Sequence, residues 1–212
     1  MIYFTFSNGW YLLNTLGLSG TWTFNKLKHS NVLFKIKDHK DLYFHDVRNF
    51  GTLQFINNMD LLDKKLEKIG FPMLDKKTTF NIFLKIFNKY KTKFSKKYIV
   101  EFLMNQEYIS GVGNYIKSES LYKCKISPHR LVKDIKSNEI KKLYNSIKEI
   151  MNNSYESKGV SKKDFSDIDD NKGEYQDELE VYGKKFDKHG NKVIAEKTRD
   201  KRTTYWVKTI QI

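Results

Sequence analysis

Two glycines and an asparagine, in the segment Gly111-Val112-Gly113-Asn114, form the pattern in this chain that is best suited to binding an anion. A glycine has no Cβ, so the backbone amides at Gly111 and Gly113 can come close to a phosphate. Asn114 stands where we predict that a helix begins, and the free N–H groups of a helix N-terminus favour an anion. Taken alone, the pattern is equally typical of an ordinary turn between two helices.

A surplus of positive charge points to the same class of partner. The 212 residues include 39 Lys and Arg against 25 Asp and Glu, which gives a formal net charge of +14. Such a surplus usually accompanies an anionic partner such as nucleic acid, although a solvated Lys-rich surface has the same composition. The 15% aromatic content argues against disorder, because aromatic side chains supply surface that can be buried.

Other chemistries find little support in the composition. Cys124 is the single cysteine, which excludes a disulfide framework and a multi-cysteine metal cage. No apolar run reaches the roughly 18 residues that a membrane span needs. The opening residues, Met1-Ile2-Tyr3-Phe4, lack the basic region and cleavage site of a signal peptide. We therefore expect a soluble intracellular protein, nuclear or cytoplasmic, with no membrane partner.

The secondary-structure elements that must position the glycine segment are predicted to be strands in the N-terminal part of the chain and helices in the part that follows. Short β-branched and aromatic runs predict five strands, at residues 2–6, 10–16, 32–37, 41–47 and 52–56. Five short strands with tight turns suggest part of an antiparallel sandwich or barrel.

From about residue 60 onward, apolar residues recur with helical spacing. The spacing predicts helices at residues 61–69, 79–90, 98–106, 115–122 and 137–155. The basic stretch Lys89–Lys97 is either a solvated linker and helix start or a helix entrance that faces DNA.

The last third of the chain predicts a loop and a hairpin. Residues 157–178 are polar and have no apolar period, so we predict a loop, and a loop this long is usually functional or disordered. Residues 192–197 and 203–207 predict a β-hairpin around the turn at residues 198–201.

The longest motif surrounds the two glycines. It runs Phe102-Leu103-Met104-Asn105-Gln106, Ile109-Ser110-Gly111-Val112-Gly113-Asn114-Tyr115-Ile116, Ser118-Glu119-Ser120-Leu121-Tyr122 and Ile126-Ser127-Pro128. This string closely resembles the helix–two-turn–helix element of the formamidopyrimidine-DNA glycosylase and endonuclease VIII family. Six other segments resemble family motifs in the same order: Leu16–Gly20, Lys28-His29, Asp46–Gly51, Ser161–Phe165, Glu178–Gly183 and Arg202–Tyr205.

The resemblance implies how such a chain handles DNA. An enzyme that acts on a base must take it out of the stack. By resemblance, Leu18, Arg48 and Phe50 fill the gap, with Leu18 in place of the family's usual Met. Arg48 hydrogen-bonds the opposite base and Phe50 stacks on it. Without the resemblance, Leu18 and Phe50 fit an ordinary core at the end of a loop.

The resemblance also implies which residues hold the DNA backbone. Phosphates are expected at His29, Asn114 and Arg202, with the turn at Gly111 and Gly113 beside them. Lys97 is a further phosphate candidate, as the nearest Lys in the matching helix. Arg202 is, in addition, the family's residue for the second elimination step.

One departure from the family concerns metal. Its zinc finger uses four cysteines, but Val207 and Ile210 stand at the last two places, and the earlier pair falls among Lys188–Gly190. Zinc requires several thiolate or imidazole ligands, and His189 alone supplies one. The pattern therefore resembles the family's zincless-finger branch, and we expect no zinc and no other cofactor. We interpret His189 as a turn residue.

A second departure concerns the nucleophile. Family members begin with Pro-Glu, whose terminal amine, with a pKa of about 8, forms a Schiff base at the sugar C1′ while the Glu moves protons. This sequence begins Met1-Ile2-Tyr3-Phe4, at or just after a family lysine. We expect about the first quarter of the N-terminal domain to be missing. A clipped gene model is favoured because lost strands expose sheet edges; a natural truncation and a Met1 amine nucleophile are the alternatives.

These features predict an α+β fold in four ranges. They are a truncated N-terminal β-sandwich at 1–58, a linker helix at 59–75, a helix–two-turn–helix domain at 76–180 with a lesion-capping loop at 157–178, and a zincless β-hairpin finger at 181–212.

The predicted function is DNA repair by base excision. We predict a monomeric DNA glycosylase and AP lyase that removes oxidised bases and nicks the strand by β,δ-elimination. Its partner is duplex DNA with a damaged base or an abasic site, lying in the basic cleft between the two main domains. The alternatives are a non-catalytic binder of damaged DNA and, more distantly, an RNA-binding helix–two-turn–helix module.

Overall fold

The computed structural model describes residues 1–17, 19–160 and 174–212. Its contacts divide the chain into two compact units. The first contains the described parts of Met1–Glu67 and Ser157–Gln176, and the second contains Lys68–Glu156 and Asp177–Ile212. The finger range predicted at 181–212 thus belongs to the same unit as the helices.

The first unit contains two three-stranded antiparallel sheets. Their strands are β1 (Ile2–Thr5), β2 (Tyr11–Thr15), β3 (Gly20–Thr23), β4 (Ser30–Phe34), β5 (Leu42–Asp46) and β6 (Thr52–Ile56). One sheet has the order β1-β2-β6 and the other has the order β3-β5-β4. Strand β3 is absent from the five predicted strands, and it is stabilised by pairing with β5 rather than by an apolar pattern of its own.

Aromatic side chains connect the two sheets. The ring of Phe4 meets that of Trp22 edge-on at 5.1 Å, and Phe6 stacks against Phe34 at 6.2 Å. The indole N–H of Trp22 donates to Oδ1 of the fully buried Asn14, across 3.0 Å. A buried amide with a partner on the opposite sheet restricts how the sheets can slide.

Helix α1 (Met59–Leu66) completes this unit. Leu62 is 2% exposed and packs with Leu13 and Ile56. The helix predicted at residues 61–69 begins two residues earlier, at Met59, and ends three residues earlier, at Leu66. Leu61 is 46% exposed, and Ile69 lies beyond the helix end and is 38% exposed.

The second unit is mainly helical. Its elements are β7 (Phe71–Pro72), α2 (Phe80–Lys93), α3 (Ile99–Leu103), β8 (Ile109–Ser110), α4 (Asn114–Lys123), α5 (Ser137–Glu156), β9 (Ile194–Lys197) and β10 (Thr203–Trp206). Two short 3₁₀ helices, Val132–Asp134 and Tyr175–Glu178, occur in the described chain. The predicted combination of a β-rich N-terminal part, a helical part and C-terminal strands is confirmed.

Some helix boundaries differ from the prediction. Helix α3 ends at Leu103 rather than at residue 106, because the chain turns and the Asn105 side chain accepts the Glu107 N–H. Helix α2 continues to Lys93, so the first half of the basic stretch Lys89–Lys97 is a helix end and not a helix start. Lysines suit that place because the C-terminal end of a helix dipole is negative.

Helix α4 holds the C-terminal segment through a buried glutamate. The carboxylate of Glu119 accepts the backbone N–H groups of Glu180, Val181 and Tyr182 at 2.7–3.0 Å. Next to it, Tyr122 packs with Val181, Val193 and other apolar side chains of the finger. The finger therefore shares its hydrophobic cluster with α4. None of the described helices is long and apolar enough to cross a membrane.

Candidate nucleic-acid interface

In the first unit, the carboxylate of Asp46 ties two loops together. The Ser19 hydroxyl donates to its Oδ1 at 2.6 Å, the Arg48 N–H to the same oxygen at 3.3 Å, and the Gly51 N–H to Oδ2 at 2.7 Å. Burial alone would raise the pKa of Asp46, but these hydrogen bonds and one from the Asn49 N–H together hold it below its usual range. The ionised carboxylate thus fixes the loop that carries Arg48 and Phe50.

The same two loops touch directly through Gly17. Its φ is +64°, and a Cβ there would lie 2.7 Å from the backbone carbon of Phe50. Only glycine fits such a left-handed position at this contact distance. Leu18, the predicted wedge residue that follows, lies outside the described residues.

Three predicted DNA contacts lie around this carboxylate. The backbone carbonyl of His29 accepts the Asp46 N–H at 3.0 Å, and the His29 ring lies 6.1 Å from that of His45. His29, Arg48 and Phe50 are all exposed, and Phe50 is 61% exposed. An aromatic ring presented this far from the core on a fixed loop can stack on a base. Phe50 is therefore not the ordinary core residue that its type alone suggests.

In the second unit, the turn between α3 and α4 is held by the side chain of Gln106. Its amide donates to the Val112 carbonyl at 3.0 Å and accepts the Gly111 N–H at 3.1 Å. Gly111 has a φ of +88°, and a Cβ there would meet the Met151 methyl group at 2.9 Å. Around Gly113, by contrast, a Cβ would find no described atom within 4 Å. That side of the turn is open to a ligand.

The N-terminus of α4 follows immediately. Gly113 is its N-cap and provides no side-chain cap, so the first amides of the helix keep their capacity to bind an anion. Asn114 is the first helical residue, as predicted, and its Nδ2 donates to the Thr203 carbonyl at 2.8 Å. Its buried Oδ1 has no hydrogen-bond partner among the described residues.

Arg202 lies in the turn between β9 and β10, next to the residue that Asn114 binds. Its side chain is exposed, while its carbonyl accepts the N–H of Thr198 at 3.1 Å and the hydroxyl of Thr198 at 3.2 Å. The structure therefore brings together two predicted phosphate contacts, Asn114 and Arg202, from positions 88 residues apart.

A buried ion pair that the sequence did not predict lies beneath this turn. Nζ of Lys117, in α4, lies 2.5 Å from Oδ2 of Asp200, and their side chains are 0% and 2% exposed. Burial lowers the pKa of Lys117, while the hydrogen bond and charge of Asp200 raise it and the charge of Arg202 lowers it further. A lysine usually lies at the surface, so no local pattern marks one that is buried.

Lys97 contributes to a separate basic pocket of the same unit. Its Nζ pairs with Glu101 at 2.7 Å, and its side chain is 53% exposed. The pocket has a volume of about 590 Å³, and its lining residues are Lys93, Phe94, Ser95, Lys96, Lys97, Tyr98, Glu101 and Arg199. The Arg199 guanidinium lies 5.8 Å from the centre of the Tyr98 ring. Four cations against one carboxylate suit a phosphate.

The finger contains apolar side chains where the family pattern has cysteines. Val207 is 1% exposed and packs with Tyr122, Val181 and Val193, and the half-buried Ile210 joins this cluster. Neither Val nor Ile has an atom that can ligate zinc. In the described ranges, no group of three His, Cys, Asp or Glu side chains is arranged to hold a metal ion.

A carboxylate organises the other end of the finger, where the family's first two cysteines would fall. Oδ1 of Asp187 accepts the backbone N–H groups of His189 and Asn191 at 2.9 and 2.8 Å, and Oδ2 accepts the Tyr122 hydroxyl at 2.9 Å. The Gly190 N–H donates to the Asp187 carbonyl, which closes a turn. His189 is thus a turn residue, as predicted.

Three family models match consecutive parts of the chain. The formamidopyrimidine-DNA glycosylase N-terminal domain matches residues 1–53, the H2TH domain matches residues 60–166, and the C-terminal domain matches residues 166–212. The first match lies within the range predicted as part of the N-terminal domain. The second includes the whole of the Gly111–Asn114 segment.

Individual proteins agree with these models. The formamidopyrimidine-DNA glycosylase of Pelotomaculum thermopropionicum is 31% identical over 189 residues, or 87% of this chain and 66% of the relative, so the chain spans about two thirds of its length. The MutM (Fpg) protein from Thermus thermophilus superposes with a TM-score of 0.86 at 25% identity, over 99% of this chain and 78% of that one. A complex between the Lactococcus lactis Fpg and an abasic site containing DNA gives 0.77 at 27% identity, over 95% and 75%.

Proposed function

The chain belongs to the formamidopyrimidine-DNA glycosylase family, and from this premise we propose that it acts in base-excision repair on duplex DNA with a damaged base or an abasic site. The observation that carries the proposal is the arrangement of Asn114 and Arg202 beside the uncapped N-terminus of α4. An amide, a guanidinium and free helix amides are the groups that hold a DNA phosphate. The Lactococcus lactis relative is solved with abasic-site DNA, which supports the choice of partner.

Each unit supplies a different part of the recognition. In the second unit, Asn114, Arg202 and the open side of Gly113 bind the backbone, and Lys97 adds charge. In the first unit, Arg48 and Phe50 face the base opposite the lesion, on a loop that Asp46 holds in place. Phosphate contacts supply affinity, and the wedge supplies preference for a gap in the stack.

The proposed chemistry is that of a glycosylase and AP lyase. An amine attacks the sugar C1′, the N-glycosidic bond breaks, and the resulting Schiff base permits β-elimination and then δ-elimination. Arg202 holds the phosphate that leaves in the second step. The family's nucleophile is an N-terminal proline followed by glutamate, and residues 1–212 contain no Pro-Glu pair. The second candidate function is a non-catalytic binder of damaged DNA, since Asn114 and Arg202 can hold a phosphate without any reaction.

The test compares binding and trapping on defined duplexes. We expect the protein to bind a duplex with a tetrahydrofuran abasic analogue more tightly than the intact duplex and than a structured RNA. Asn114→Ala and Arg202→Ala should each weaken abasic binding about tenfold, because each removes a hydrogen bond to a charged group. Lys123→Met is the matched control, since Lys123 lies on the same helix and pairs with Glu149 at the surface. Unchanged affinity in both site variants would contradict the proposed interface.

Borohydride separates the two candidate functions. With a natural abasic site, a Schiff-base enzyme becomes covalently attached to DNA when the imine is reduced, whereas a binder does not. A trapped complex of the native protein supports the lyase. Tight and selective abasic binding without trapping overturns the lyase and leaves the damaged-DNA binder.

We further propose that the finger is stable without zinc. Support comes from Val207 and Ile210, which pack in an apolar cluster and have no ligand atoms, and from Asp187, which closes the opposite turn with hydrogen bonds. We expect metal analysis to find substoichiometric zinc and EDTA to leave the midpoint of thermal unfolding unchanged. Stoichiometric zinc, with unfolding at a lower temperature after chelation, would refute this proposal.

A further inference from the structure

We propose that Lys117 and Asp200 are positioning residues, whose buried ion pair fixes the β9–β10 turn on helix α4 and thereby holds Arg202 beside Asn114 in the geometry that binds a DNA phosphate. The inference deepens the proposed function and rests on it. Neither residue belongs to the family motifs identified in the sequence, and neither is expected to touch DNA, because both side chains are almost fully buried.

General stabilisation of the fold does not explain this pair. Two ionised groups 2.5 Å apart, 0% and 2% exposed, lose their hydration on folding, and an apolar pair of similar size is often as stable or more so. A buried ion pair does supply a directional contact, because moving either group away would leave a buried charge without its partner and would destabilise the fold. Such a contact suits a turn whose exact position matters.

One face of helix α4 holds the turn at three points. Asn114, Lys117 and Ser118 are spaced i, i+3 and i+4, so they share that face. Asn114 Nδ2 donates to the Thr203 carbonyl at 2.8 Å, Lys117 binds Asp200, and Ser118 Oγ accepts the Tyr205 N–H at 3.3 Å. The three contacts lie on both sides of Arg202 in the sequence.

The turn is also braced from within by Thr198. Its hydroxyl lies 2.5 Å from Oδ1 of Asp200, 2.6 Å from the Thr204 hydroxyl and 3.2 Å from the Arg202 carbonyl. Asp200 therefore uses one oxygen for Lys117 and the other for the turn itself. The backbone of Arg202 is fixed by this network, and its exposed guanidinium is left to adjust.

The positive charge of Arg202 is close enough to lower the pKa of Lys117, so two cations stand near each other beside the N-terminus of α4. Asp200 compensates the buried cation through its own charge and hydrogen bond. The exposed guanidinium then remains the cation that is available to a phosphate.

The experiment is a double-mutant cycle between Lys117 and Arg202, read as affinity for the tetrahydrofuran duplex. Lys117→Met keeps the length of the side chain and removes the charge. We expect it to weaken binding about tenfold in the wild-type background and less than twofold in the Arg202→Ala background, because a displaced turn matters only while Arg202 is present. Lys123→Met, which breaks the exposed Lys123–Glu149 pair on the same helix, should leave affinity unchanged in both backgrounds.

Stability is measured in parallel to separate positioning from folding. Lys117→Met leaves Asp200 buried without its cation and should lower the midpoint of thermal unfolding. Adding Asp200→Asn removes that charge while keeping an oxygen for Thr198, so the Lys117→Met/Asp200→Asn protein should regain stability but not affinity. If Lys117→Met does not fold, Asp200→Asn alone, with nearly the same shape, enters the same cycle against Arg202.

The measured affinities and stabilities distinguish a positioning role of the ion pair from a merely structural one. Equal losses in the two Arg202 backgrounds, or full recovery of affinity together with stability in the paired variant, would mean that the ion pair is merely structural. If the wild-type protein prefers abasic DNA but the effects of the Lys117 and Arg202 substitutions on affinity are additive, only this inference is overturned. A wild-type protein without that preference overturns the proposed function and this inference with it, whereas an Arg202→Ala variant with wild-type affinity overturns this inference alone.

Discussion

At the level of single residues, a buried carboxylate fixes the loop that presents an exposed side chain to DNA. Asp46 is 1% exposed and accepts hydrogen bonds from both loops that flank the predicted wedge. Phe50, four residues later, is 61% exposed. The loop therefore exposes an aromatic ring, while the hydrogen bonds to Asp46 keep the backbone that carries the ring fixed. This arrangement lowers the entropy lost when the ring stacks on a base.

The Phe50→Ala substitution tests the role of this ring. Stacking of a base on an aromatic ring is worth about 1–3 kcal/mol. We expect the ratio of affinities for the abasic-analogue duplex and the intact duplex to fall about tenfold, with little change for the intact duplex. Fluorescence anisotropy with both duplexes measures the ratio. Phe186→Ala is the matched control, because Phe186 is also 61% exposed. Equal losses on the two duplexes would exclude the wedge role.

At the scale of elements, helix α4 organises the C-terminal finger. One face binds the β9–β10 turn through Lys117, and neighbouring positions bind the start and the far turn of the finger through Glu119 and Tyr122. The motif around Asn114 thus has two roles. It begins a helix whose N-terminus is open to a ligand, and it contacts the strands that flank Arg202. A finger attached in this way has less need of a metal to fix its shape.

The far turn gives a prediction about pH. Burial would raise the pKa of Asp187, but hydrogen bonds from Asn191, Tyr122 and the His189 N–H lower it to about 2. A carboxyl whose folded-state pKa lies below its unfolded value stabilises the fold above the unfolded pKa, and the stabilisation is lost as the pH falls through the folded pKa. Asp187→Asn should therefore cost roughly 1–2 kcal/mol at neutral pH.

Urea unfolding across a pH series measures this difference. The gap in free energy of unfolding between wild type and Asp187→Asn should narrow as the pH falls from about 4 to about 2. Asp38→Asn is the control, because Asp38 is exposed in a turn with a φ of +59°, which Asn also tolerates. A gap that stays constant with pH would argue that Asp187 acts by shape alone.

At the scale of the whole molecule, charge sets how the protein meets DNA. The net charge of +14 lies almost entirely in the second unit, which has 27 Lys and Arg against 14 Asp and Glu, while the first has 12 against 11. Each unit nevertheless has an exposed cation at its predicted contacts, Arg48 in one and Arg202 in the other. Binding that neutralises phosphates releases counterions, so affinity depends on salt. This part of the affinity does not depend on the lesion.

We predict a steep linear fall in the logarithm of affinity with the logarithm of salt concentration, with a contribution of about 0.9 from each phosphate contact. Arg202→Ala should make the slope shallower by about one unit on both intact and abasic duplexes. Titrations at several salt concentrations measure it, with Lys123→Met as the control on an exposed cation of helix α4. A slope that Arg202→Ala leaves unchanged would mean that Arg202 does not contact a phosphate.

The sequence alone was sufficient for features that reside in local patterns. The Gly111–Asn114 segment predicted a helix beginning at Asn114, and α4 begins there. The positions of helices α2 and α5 followed from apolar spacing, because one buried face imposes the period of the helix. Strand β3 escaped prediction because pairing with β5, rather than an alternating pattern of its own, makes it a strand.

Which distant residues contact each other depends on how the elements pack. Lys117 and Asp200 are 83 positions apart, and Tyr122 and Asp187 are 65 apart. Each pair is set by how α4 docks on the finger, and no spacing in the chain records that docking. Residue type and order were enough to identify the family and to predict which residues contact DNA. The contacts that fix those residues in place became visible only in the structure, because a buried charge meets its partner only after the chain has folded.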